Sequence, residues 1–187
     1  FNESDIQLIC PSNEDLGEII SNSSIDCVSF TGGIVGAKAI SEKSVLKKQL
    51  FELGGNDPLI IFPDSDFEKA TQTIISQRFG CAGQRCTAPK RVYIHQDCYG
   101  QVKNMLLEKA EKLNVGDPSD EKVQVGPVVS ESAAIEVEER INQAIKDGAT
   151  LLLGGKRDGA VILPTILENV SSHTKLVQEE TFGPVVP

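Results

Sequence analysis

Two side chains in this 187-residue chain have types and surroundings suited to covalent chemistry as a pair. Cys86, in Gly83-Gln84-Arg85-Cys86-Thr87, is a candidate thiol nucleophile, and Glu52, in Phe51-Glu52-Leu53-Gly54-Gly55-Asn56, a candidate carboxylate base. A cysteine attacks carbon only as its thiolate, which requires a partly exposed and electropositive setting. Arg85 and a glycine-flanked turn would supply cationic charge and free backbone N–H groups. A thioester formed on that sulfur must then be hydrolysed, which calls for a general base whose pKa rises on burial among apolar neighbours such as Phe51 and Leu53. Taken singly, each residue has a plainer reading, Cys86 as a packed structural thiol and Glu52 as a solvated carboxylate at a strand end. The polar, turn-like flank of Cys86 and the two glycines after Glu52 favour a site.

The elements that must position this pair follow an α/β pattern, with short apolar runs alternating with helical-period stretches. Strands are expected at Ile6 to Ile9, Cys27 to Phe30, Leu59 to Phe62, Val92 to His95, Thr150 to Leu153 and Val161 to Leu163. Helices are expected at Ser12 to Ser21, Gly36 to Lys48, Asp66 to Phe79, Gln96 to Leu113 and Ser130 to Asp147. Asp66 stands where an N-cap belongs, and Gly148 suits a helix stop. Asn114 to Val129, with Gly116-Asp117-Pro118 and Gly126-Pro127, reads as a loop.

Charge and composition narrow the partners. A formal net charge of −9 argues against nucleic acid or an anionic membrane as the main partner. No apolar run is long enough to span a bilayer and no secretion signal is apparent, so the cytoplasm is the expected compartment. The five cysteines leave an odd one over, as suits a reducing compartment. Cys10, Cys27 and Cys98 read as small buried hydrophobes. Cys81 and Cys86 have no second matching pair, and His95 and His173 lie far from them in sequence, so no metal site is expected.

Three elements together resemble the NAD(P)-dependent aldehyde dehydrogenases: Glu52-Leu53-Gly54-Gly55, Gly83-Gln84-Arg85-Cys86, and Glu179-Glu180-Thr181-Phe182-Gly183-Pro184. They occur in the family's order and at its spacing. The resemblance implies a three-layer, parallel-sheet catalytic domain over 56–187, C-terminally incomplete, preceded at 1–55 by the end of a Rossmann-like dinucleotide-binding domain. Family members run to well over twice this length, so the chain reads as a fragment. The implied cofactor is NAD or NADP, with Glu180 on the nicotinamide ribose and Phe182 and Gly54 nearby. Phe30-Thr31-Gly32-Gly33-Ile34-Val35-Gly36 looks like the family's phosphate-proximal turn, with Gly32 and Gly36 as contacts. It departs from the pattern by enclosing three residues where the family has four, and by lacking the usual Ser or Thr.

The implied reaction is oxidation of an aldehyde to a carboxylic acid, by Cys86 attack, hydride transfer and hydrolysis assisted by Glu52, on opposite flanks of a shared pocket. Arg85 and Thr87 are candidate substrate contacts. The run from Gly83 to Arg91 is similar to that of non-phosphorylating glyceraldehyde-3-phosphate and phosphonoacetaldehyde dehydrogenases, which suggests a small anionic aldehyde gripped by Arg85. Arg85 reads equally as a group that only lowers the thiol pKa or pairs with a surface carboxylate. The family suggests a homo-oligomer. Two alternatives stand beside this reading: an inert fragment that folds and self-associates through open strand edges, and a redox sensor built on Cys81 and Cys86.

Overall fold

Helix starts in this chain follow local capping chemistry. Ser12 accepts from the Asp15 N–H to open α1 (Asn13–Ser21), Asp66 from Lys69 to open α3 (Phe67–Ile74), and Ser130 from Ala133 to open α5 (Glu131–Lys146). The computed structural model describes residues 5–187. It divides into two compact units, one ending at Gly54 and one running from Gly55 to Pro187.

In the first unit β1 (Cys27–Gly32) leads through Gly33 into α2 (Ile34–Lys43), and β2 (Lys48–Leu53) returns parallel to β1 with Glu52 opposite Thr31. Ile20, Val28 and Ala37 form its small buried set. In the second unit β3 (Pro58–Ile61) pairs in parallel with β4 (Arg91–Ile94), and α3 and the loop that carries Cys86 fill the connection between them. Next come α4 (Tyr99–Glu111), α5, β5 (Thr150–Leu153), the hairpin β6 (Arg157–Asp158) and β7 (Val161–Ile162), β8 (Thr165–Glu168), the short α6 (Lys175–Gln178) and β9 (Val185–Val186). β8 pairs antiparallel with β5 and parallel with β9. Ile61, Ile74, Phe79, Val102, Leu106, Ile141, Leu176 and Val185 are fully buried members of one core. Among the described residues no helix is long and apolar enough to cross a membrane.

The α/β class holds, and several boundaries move. Ile6 to Ile9 pairs with no strand, and its apolar side chains Ile6, Leu8 and Ile9 are exposed. The expected helix from Gly36 to Lys48 begins earlier and ends at Lys43, because Ser44 caps it and Leu46 turns the chain at a φ of 65°. Lys48 then opens β2, the strand that carries Glu52. Of the three cysteines expected to be buried, only Cys98 is; Cys10 and Cys27 are exposed, because two strands and two helices cover little surface. The loop from Asn114 to Val129 carries only an isolated bridge between Val115 and Val125.

Candidate active site

The loop that carries Cys86 begins where α3 fails to end normally. Ile75–Phe79 widens into a π turn, and Gly80–Gly83 tightens into a 3₁₀ turn whose last three residues are left-handed, with φ of 51° at Cys81, 52° at Ala82 and 71° at Gly83. Left-handed backbone costs a non-glycine residue on the order of 1–3 kcal/mol. The surroundings therefore have to impose it. Phe79 and Ala82 anchor the loop in the core. Gln84 donates to the Cys81 and Pro127 carbonyls, and its Oε1 accepts from the Val129 N–H at 2.7 Å. Cys86 then sits exposed on a turn closed by Ala88 N–H to Arg85 O, and Thr87 is exposed beside it.

Gly183 of the third motif presses directly on this loop. A methyl group at Gly83 would lie 2.3 Å from the Gly183 oxygen, so only glycine allows the approach. Arg78, fully buried, donates from Nε to Val185 O and from Nη2 to Thr181 O. Burial pulls its pKa down to about 10, with Glu180 acting the other way. It therefore stays charged at neutral pH. Arg140 holds the same segment from outside, donating to the Glu180 carbonyl at 3.0 Å and to the Thr181 hydroxyl.

Lys90 ties these parts together. It is 1% exposed, and its Nζ donates to the Arg85 and Cys86 carbonyls at 2.8 and 2.9 Å and pairs with Glu180 Oε1 at 3.2 Å. The same Oε1 accepts from the Gly55 N–H at 3.3 Å. A Cβ at Gly55 would stand 3.3 Å from the Cys86 carbonyl oxygen, so the second glycine after Leu53 also abuts the Cys86 turn.

The second unit thus gathers Cys86, Arg85, Thr87 and Glu180, with Phe182 half-exposed in the same segment. Arg85 donates to Gln77 Oε1 at 3.4 Å and to Cys81 Sγ at 3.2 Å, and among the described residues no carboxylate pairs with it. In the first unit Glu52 is exposed rather than buried among Phe51 and Leu53, because successive strand residues face opposite ways. Phe51 and Leu53 line a shallow depression with Ile34, Ala37 and Ser41, and Gly54 follows β2 half-buried. The Phe30 ring lies over Gly32 and Gly36 and meets Phe51 edge-on at 6.2 Å. No side chain caps the first turn of α2, which leaves its N–H groups open to an anion.

Lys90, Arg78, Arg140 and Gly55 carried no site role in the sequence reading. The available signals were the places of Lys90 in the run from Gly83 to Arg91 and of Gly55 in the Glu52-Leu53-Gly54-Gly55 motif.

Comparisons with known proteins identify the family. The chain is 47% identical over 185 residues to sulfoacetaldehyde dehydrogenase of Neptuniibacter caesariensis, covering 99% of the chain and 41% of that protein. It is 40% identical over 182 residues to 3-sulfolactaldehyde dehydrogenase of Priestia megaterium, covering 97% of the chain and 38% of that relative. The chain therefore spans about two fifths of these relatives' lengths. Among solved structures, glyceraldehyde-3-phosphate dehydrogenase of Methanocaldococcus jannaschii complexed with NADP aligns at a TM-score of 0.87 and 41% identity, over 91% of this chain and 37% of that one. A betaine aldehyde dehydrogenase double mutant of Staphylococcus aureus in complex with NAD+ aligns at 0.92 and 33% identity, over 100% and 39%. The profile of the aldehyde dehydrogenase family matches residues 2–187, and the chain belongs to that family.

Proposed function

We propose that the protein carrying this chain oxidises a small aldehyde with an anionic tail to the carboxylic acid, using NAD or NADP. The observation that carries the anionic preference is Arg85, whose guanidinium is held by Gln77 and Cys81 one residue before the exposed Cys86, with no carboxylate among the described residues to neutralise it. A guanidinium so placed suits the oxygens of a sulfonate, phosphate or carboxylate. The sulfonated substrates named for two relatives support the same class.

In this reading the Cys86 thiolate adds to the carbonyl carbon, and the Cys86 backbone N–H stabilises the oxyanion of the thiohemiacetal. The nicotinamide ring, when bound, supplies the hydride acceptor. Glu180 fits a ribose, since only its Oε1 is engaged among the described residues and Oε2 is free to accept from a hydroxyl. The uncapped start of α2 fits the pyrophosphate. Glu52, exposed and therefore open to water, takes the proton of the water that hydrolyses the thioester. Residues 1–55 belong to the cofactor domain and 56–187 to the catalytic domain.

The test is steady-state kinetics of the full-length protein with sulfoacetaldehyde, 3-sulfolactaldehyde, glyceraldehyde 3-phosphate, lactaldehyde and propanal. The reading expects kcat/KM for the anionic aldehydes to exceed that for propanal by about 100-fold or more, and Arg85→Ala to remove most of the difference, as loss of one charge-assisted contact would. Equal efficiency for propanal defeats the anionic preference. Cys86→Ala should abolish turnover, and Glu52→Gln should leave a burst of reduced cofactor with slow release of acid. A fully active Glu52→Gln removes the base assignment.

A further inference from the structure

Lys90 is the residue on which three separate parts of the site converge. Its stem is buried, and its ammonium group has three hydrogens and three close acceptors: Arg85 O, Cys86 O and Glu180 Oε1. Asp57 Oδ2, at 3.9 Å, adds a weaker partner of opposite charge. A lysine is costly to bury unless it is satisfied in this way.

We infer that Lys90 is a positioning residue that sets both the direction of the Cys86 N–H and the placement of the Glu180 carboxylate. The first half follows from peptide planarity. The Arg85 carbonyl and the Cys86 N–H belong to one rigid trans peptide and point in opposite directions, so an ammonium that fixes the oxygen also fixes the hydrogen. That N–H is the oxyanion donor in the proposed reaction, on which this inference rests. The bond to the Cys86 carbonyl fixes the next peptide too, so the sulfur is held between two immobilised planes. The second half follows from the acceptor side. Lys90 and the Gly55 N–H both bind Oε1 of Glu180, which orients the carboxylate and leaves Oε2 for the cofactor's ribose. One cation thereby couples oxyanion stabilisation to cofactor binding, and it touches neither substrate nor cofactor itself. Arginine is a poor replacement, because a planar fork cannot follow three acceptors disposed around a tetrahedral nitrogen.

The experiment compares Lys90→Met and Lys90→Arg with the wild type in the full-length protein. It measures kcat, both KM values and the melting curve. Lys90→Met keeps the stem and removes the donors. The expected result is a fall in kcat of about 100-fold, as when an oxyanion donor is lost. The KM for NAD(P)+ should rise about 10-fold while the KM for the aldehyde changes little. Lys90→Arg, which keeps the charge, should lose at least about 10-fold in kcat at temperatures well below its own melting transition. Unchanged kcat and cofactor KM in Lys90→Met overturn the inference. If Lys90→Met does not fold, wild-type kinetics in Lys90→Arg overturn it instead. Turnover surviving in Cys86→Ala would overturn the proposed reaction and this inference with it, whereas wild-type kinetics in the Lys90 variants overturn this inference alone.

Discussion

A methyl group added at Gly83 would lie 2.3 Å from the Gly183 oxygen and 2.8 Å from the Arg78 oxygen, whereas one added at Gly36 would meet the tip of the Phe30 ring at 2.9 Å. The sequence marks both glycines as special, and their constraints differ in kind. At Gly83 the obstacles are two backbone oxygens and a left-handed φ of 71°, none of which can move without dismantling the third motif's packing on the Cys86 loop. At Gly36 the obstacle is a half-buried side chain able to rotate away, and the backbone is ordinary helix. The Cys86 loop is over-determined by its neighbours. The glycine turn after β1 is determined mainly by its own short sequence.

Substitutions can break this contrast. Gly83→Ala is expected to cost more than about 3 kcal/mol, the sum of a forbidden backbone and an unrelieved clash, and to lower both the urea midpoint and kcat. A value under about 1 kcal/mol would show that the loop yields. Ser130→Ala, which removes the cap from α5 beside the Cys86 loop, is expected to cost about 1 kcal/mol by the same denaturation measurement. Gly36→Ala should change stability by less than about 1 kcal/mol, because displacement of Phe30 is offset by the better helix propensity of alanine. A cost as large as that at Gly83 would place the two turns in one class.

The smallest expected effect is in pH. Tyr99 donates to Glu168, and Lys103 pairs with the same carboxylate at 3.0 Å. Burial and the Glu168 hydrogen bond push the Tyr99 pKa up to about 12. A raised pKa contributes stability that is complete below the tyrosine's unfolded value and is lost as pH rises through about 12. The hydrogen bond from Tyr99, with Lys103, holds Glu168 below its ordinary 4.5. Its contribution is present above 4.5 and is lost as pH falls through the folded value. Urea midpoints measured against pH should therefore fall at both ends, and Tyr99→Phe should flatten both limbs. Unaltered limbs in Tyr99→Phe would assign the dependence to other groups.

The helices were legible where a single residue decides the outcome. Ser12, Asp66 and Ser130 each accept the N–H three residues on, a contact readable from local sequence. β2 was not legible, because Lys47-Lys48-Gln49 favours continued helix. The break depends on Leu46 adopting a left-handed φ, which no leucine advertises. β8 and β9 were missed for a related reason, since their pairing joins segments far apart in sequence. Of the candidate site, residue identities were readable in three short motifs, while the environment of each residue was not. Glu52 proved exposed where burial was expected, and Lys90 proved the most connected side chain around Cys86.

Sequence alone determined the α/β class, the three motifs that nominate Cys86, Glu52 and Glu180, and the capped starts of α1, α3 and α5. These depend on residue type and on contacts within a few positions. Tertiary structure decided that Gly183 closes on Gly83 and that Lys90 satisfies its charge on Arg85, Cys86 and Glu180 together. A buried ammonium and a left-handed turn are favourable only when distant backbone supplies their partners, and the core is what brings that backbone within reach.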